Sequence, residues 1–132
     1  MILPLLVVLS GLITYPTVNG GTRPDKDAMV LLVPLPLKAP AIHPSWGELS
    51  FAPGVRQTSP DVTGRYRFAN VTPGKYVVFV ESFRTDTSSE GGKLDFAACQ
   101  AALPGFEDTF RARCDQQTIT AGDDIEVNWD ER

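Results

Sequence analysis

With 132 residues, 42% of them hydrophobic, the chain is long enough to bury one core and short for two ordinary domains. The net charge of −4 is uneven, with 4 acids against 7 bases over residues 1–80 and 12 against 5 over residues 81–132. No clustered basic face stands out, which argues against nucleic-acid binding, and 11 prolines with 11 glycines suit short strands and turns rather than helices.

Met1 to Leu9 reads Met-Ile-Leu-Pro-Leu-Leu-Val-Val-Leu, like part of a signal h-region, but no Lys or Arg precedes it and no small-x-small cleavage site follows. It is also too short to cross a bilayer, and no other stretch reads as a transmembrane segment. The competing reading is a buried first strand, Leu5 to Ile13 and on to Tyr15, with Pro4 where a missing N–H does least harm. We adopt the strand and leave open that residues 1–9 are a signal remnant. A chain that opens in mid-strand fits one domain, residues 1–132, taken from a longer protein.

Pro16 to Lys26 reads as a polar loop, and Ala28 to Val33 as a second strand, apolar on both faces and ended by Pro34-Leu35-Pro36. Residues 37–60 are Pro-rich, with Glu48 to Phe51 and Val55 to Thr58 as short edge strands; His43 and Trp46 lie on a Pro-framed loop. Asp61 to Phe83 is the strongest signal. Arg65 and Arg67 alternate with Tyr66 and Phe68, Thr72-Pro73-Gly74 reverses the chain, and Tyr76 to Val80 is apolar on both faces. This predicts a hairpin with the Tyr66/Phe68 row beside the Tyr76/Val78/Val80 row.

Beyond a loop at Arg84 to Gly92, Leu94, Ala97, Ala98 and Ala101 recur at helical spacing before Pro104-Gly105, predicting a short helix near residues 95–103. Phe106 and Phe110 extend that apolar pattern by a turn. Gln117 to Thr120 and Asp124 to Trp129 close the chain as strands, the second with Ile125, Val127 and Trp129 facing inward. Many short strands with little helix predict a mainly β protein, an antiparallel β-sandwich.

The residues also resemble a known family. Asp61-Val62-Thr63-Gly64-Arg65-Tyr66-Arg67-Phe68 and Asn70-Val71-Thr72-Pro73-Gly74-Lys75-Tyr76 look like the D-x-x-G-x-F-x-F-x-x-V-x-P-G-x-Y signature of carboxypeptidase regulatory-like domains. Ser10 to Ile13 and Ala28 to Leu32 are similar to that family's opening strand and its A-x-V-x-L strand. The resemblance implies a seven-stranded, transthyretin-like or Ig-like sandwich with a short helical insertion at residues 94–113, of the type found in secreted and outer-membrane-associated bacterial proteins. It therefore implies an extracytoplasmic location: periplasm, cell surface or medium. Such modules are appended to peptidases, receptors and adhesins alike, so the resemblance leaves function open. The hydroxyisourate hydrolases share the transthyretin architecture but carry several His and a Tyr-Arg-Gly-Ser end, whereas this chain has one His and ends Trp129-Asp130-Glu131-Arg132.

No catalytic constellation emerges, because a Ser/His/acid triad could use only His43 and no Gly-x-Ser-x-Gly elbow accompanies it. The expectation is not an enzyme, with no cofactor. Nor is a metal expected: Asp124, Glu126 and Asp130 alternate along a strand at about 7 Å, which spreads oxygen ligands. Cys99 and Cys114 are expected to form a disulfide if the chain is exported, closing a loop of the size worth about 3 kcal/mol, and to stay free thiols otherwise. Trp46 and Tyr15 are the candidate ligand contacts, since loop aromatics can stack on sugars. The functional expectation is a structural or interaction module that binds a protein or polymer through loops or an open sheet edge. It includes homo-oligomerisation through the N-terminal strand, with carbohydrate binding as the alternative.

Overall fold

The computed structural model describes residues 6–17, 19–36, 52–81, 112–120 and 124–130. Among them the chain forms nine strands and no helix: β1 (Val7–Pro16), β2 (Thr22–Pro24), β3 (Met29–Pro34), β4 (Arg56–Thr58), β5 (Arg65–Val71), β6 (Gly74–Glu81), β7 (Ala112–Ile119), β8 (Ile125–Glu126) and β9 (Trp129–Asp130). Of these, β2 was not expected from sequence, and β8 and β9 divide the single strand expected over Asp124 to Trp129. The helix near residues 95–103 and the strand at Glu48 to Phe51 lie outside the described residues. Ala112 and Arg113, placed at the end of the helical insertion by the sequence reading, instead open β7.

The strands make two sheets. In the first, β1 pairs antiparallel with β5 and β2 on one edge, and the short β8 and β9 run parallel to it on the other. The second has the order β4-β3-β6-β7 and is antiparallel throughout. Val7, Leu9, Ile13, Tyr66, Phe68, Val127 and Trp129 of the first sheet share one buried cluster with Val30, Leu32, Tyr76, Val78, Val80 and Ile119 of the second. The expected faces are met: Arg65 and Arg67 are exposed while Tyr66 and Phe68 are 2% exposed, and Val77 to Val80 are fully buried on both faces of a central strand.

The hairpin is corrected. β5 pairs with β1 and β6 with β3 and β7, so the Tyr66/Phe68 row lies across the core from the Tyr76/Val78/Val80 row, not beside it. A β5–β6 ladder would set exposed Arg65 and Arg67 on the same face as Val77 and Phe79, which are 0% exposed. Two local features turn the chain from one sheet to the other. The β1–β5 register slips between Val7 and Leu9, opposite Ala69 and Asn70, and Asn70 takes the left-handed conformation (φ 56°) that asparagine tolerates. The hydroxyl of Tyr76 then donates to the Thr72 carbonyl at 2.8 Å and lies 3.0 Å from the Thr72 hydroxyl. This resembles the tyrosine corner that pins strand crossings in sandwich domains.

Replacing Tyr76 with Phe keeps the ring and removes both contacts. Tyr76→Phe should lower unfolding free energy by about 1–2 kcal/mol with the urea m-value unchanged. A variant as stable as the parent would show that the corner holds without the hydroxyl.

Two further departures have one cause, that edge pairing leaves no hydrophobic trace. β2 falls in the stretch read as a loop because Thr22, Arg23 and Pro24 are all exposed, yet they pair with Pro16, Tyr15 and Thr14. The closing strands separate, β7 joining β6 and β8–β9 joining β1. Polar side chains complete the latter ladder: Val8 N–H donates to Asp124 Oδ1 at 2.9 Å and Leu12 N–H to Asn128 Oδ1 at 2.8 Å.

Candidate ligand-contact surface

The end of the molecule reached by the C-terminal half of β1 carries Tyr15, the one described aromatic among the candidate ligand contacts. Tyr15 is half-buried there, opposite Arg23 in the β1–β2 register. A tight loop joins the two strands, with Thr17 N–H donating to the Gly21 carbonyl at 2.8 Å and Gly20 N–H to the Thr17 carbonyl at 3.1 Å.

A second turn packs against the same end. Asp61 caps it, its Oδ1 accepting from Thr63 N–H at 2.8 Å, from the Thr63 hydroxyl, and from Arg65 N–H at 3.1 Å. This is an Asx-type turn, in which a short carboxylate replaces a backbone acceptor. The Thr63 hydroxyl first, then the Arg65 and Thr63 amides, hold the Asp61 carboxyl below its ordinary value, and the Arg65 charge adds to them. Hydrogen bonding to the charged form lowers a carboxyl pKa, so the clamp is intact at neutral pH and loosens only as pH falls through that lowered value.

The reversal needs glycine at position 64. Its φ is +83°, and a side chain there would bring a Cβ within 2.6 Å of the Ile13 carbonyl and 3.0 Å of Pro24. The close approach seats the turn on β1 and β2, placing Val62, 80% exposed, and the exposed Asp61 and Thr63 at the Tyr15 end. The assembled surface therefore offers an aromatic ring, an apolar projection, hydroxyls and charges of both signs from Arg23 and Asp61. That chemistry can stack on and hydrogen-bond a polar ring. Val62 and Arg23 were not singled out from sequence, because neither exposure within a turn motif nor membership of β2 has a periodic signature.

The other sequence candidates divide. Cys114 is buried in β7 opposite Phe79, while Cys99 lies outside the described residues. Trp46 and His43 also lie outside them. Among the described residues, no three of His, Cys, Asp and Glu gather as metal ligands, and no helix is long and apolar enough to cross a membrane. β1 is paired on both edges within its own chain and buries Val7 and Leu9, so donating it to a neighbour would dismantle the first sheet.

No known family profile matches the chain. No curated protein matches it either. Among solved structures, the fold is similar to that of a candidate carbohydrate-binding protein from Pseudomonas aeruginosa, with a TM-score of 0.55 and 16% identity, covering 98% of this chain and 90% of that one.

Proposed function

We propose that this chain is a noncatalytic carbohydrate-binding module of an extracytoplasmic bacterial protein, built as a β-sandwich of the carboxypeptidase regulatory-like type. The observation that carries the reading is the likeness in fold, over nearly the whole chain, to a candidate carbohydrate-binding protein. The Tyr15 end supports it, because loops at one end of a two-sheet core are where such folds build binding surfaces, and an aromatic ring there can stack on a sugar face. Trp46 is the second proposed contact, and a Cys99–Cys114 disulfide belongs to the same reading, since export would favour it.

Retention on insoluble polysaccharides tests the proposal. The parent protein should be retained on at least one polymer, and Tyr15→Ala and Trp46→Ala should each weaken retention by about tenfold, the factor that corresponds to 1.4 kcal/mol of lost stacking. Equal retention of all three proteins, or none on any polymer, would remove the reading.

A further inference from the structure

The outer face of the first sheet carries charge in stripes. β5 presents exposed Arg65 and Arg67 on one side of β1, and the C-terminal segment presents exposed Asp124 and Glu126 on the other. Asp61 sits beside Arg65 and offsets part of its charge, which leaves Arg67 as the chief cation of that stripe. Between the stripes runs β1, whose outward positions are Val8, Ser10, Leu12 and Thr14, all half-buried, with Leu6 just before them 49% exposed. The register aligns these groups in rows. Ser10 lies opposite Arg67 on one edge and Glu126 on the other, so the Cα atoms of the two charged residues stand about 10 Å apart across it, twice the strand spacing.

From this arrangement we infer that the face docks a second copy of the chain, about a two-fold axis running along β1. The choice of axis follows from the charges. Rotation about the strand direction exchanges left and right stripes while keeping each row at its height, so Arg67 of one copy faces Glu126 of the other, twice over. Rotation about the perpendicular in-plane axis would set arginine against arginine. Only the first is self-complementary, as a two-fold interface must be. It also brings the Leu6, Val8 and Leu12 stripe of one copy onto its equivalent, covering aliphatic side chains that otherwise face water. The patch spans about three strands, well short of the roughly 800 Å² per partner of a standard interface, so the dimer is weak and salt-sensitive.

Sedimentation equilibrium of the full chain over a concentration series reaching the upper micromolar range tests this. The parent should dimerise, less so as salt rises. Arg67→Glu and Glu126→Arg should each weaken dimerisation at least about tenfold by opposing like charges, and the Arg67→Glu/Glu126→Arg double variant should restore it. Both positions are exposed, and thermal melts matching the parent verify that the variants fold. A parent that stays monomeric throughout overturns the inference, as do single variants that dimerise like the parent. Weakened singles without restoration in the double variant overturn the axis. Loss of polysaccharide retention in Arg67→Glu without any change in mass would assign the face to sugar and overturn it too. The dimer does not depend on the carbohydrate reading, and either can fail alone.

Discussion

Gly11→Ala should be among the most damaging substitutions in the first sheet, lowering stability by about 3 kcal/mol although it adds only one methyl group. A Cβ at position 11 would stand 1.8 Å from the Val127 carbonyl oxygen and 2.6 and 2.7 Å from the ring edge and hydroxyl of Tyr66. The backbone contact decides the cost, because a carbonyl cannot swing aside as a side-chain tip can. Val127 N–H donates to the Ser10 carbonyl at 2.8 Å, and its own carbonyl accepts the buried Tyr66 hydroxyl at 2.6 Å. Moving Val127 therefore breaks the parallel pairing of the C-terminal segment and strands a buried hydroxyl, at about 1–3 kcal/mol for the latter. Against a total stability of about 5–15 kcal/mol, the variant should unfold at much lower urea. Gly11→Ala/Tyr66→Phe should recover little, since the carbonyl clash stays. Substantial recovery would show that the Tyr66 hydroxyl is the obstacle, and a Gly11→Ala variant within about 0.5 kcal/mol of the parent would refute the close approach altogether.

Phe68→Ala should cost about 3–5 kcal/mol, the range for truncating a buried phenylalanine. The ring is 2% exposed, packs edge-on to Tyr66 at 6.2 Å and 69°, and carries the Arg56 guanidinium 5.4 Å from its centroid. It thus ties three elements: β5 on which it stands, the core between the sheets, and β4 at the edge of the opposite sheet. Arg56 is exposed, so Arg56→Ala should cost no more than about 1 kcal/mol. The contrast checks that burial, not the cation, dominates. Comparable losses from both substitutions in urea titration would reverse that order.

The face assignments were legible because a strand's side chains alternate with period two. Arg65, Tyr66, Arg67 and Phe68 announce one wet and one buried side, and Ile125, Val127 and Trp129 do the same at the C-terminal end, as the structure bears out. The unbroken runs in β3 and β6 likewise told that both faces are covered. Of the candidate surface, Tyr15 was legible as an aromatic at a strand end. Val62 and the seating of the Asp61 turn on β1 were not, because Gly64 meets Ile13 at a point far away in the chain, and Arg23 was not, because the three exposed residues of β2 carry no alternation.

By itself, then, the amino-acid sequence determined the class of structure, the β segments long enough to alternate, and which side of each enters the core. Only the tertiary structure decided which strands lie edge to edge: β5 beside β1 rather than β6, and β8 and β9 parallel to β1. The physical reason is that side chains write a strand's faces into its sequence, whereas its edges are backbone N–H and C=O groups common to every residue. Partner choice is therefore settled by the global arrangement that buries both faces of β6, turns the arginines of β5 outward and leaves room at Gly11 for the Val127 carbonyl.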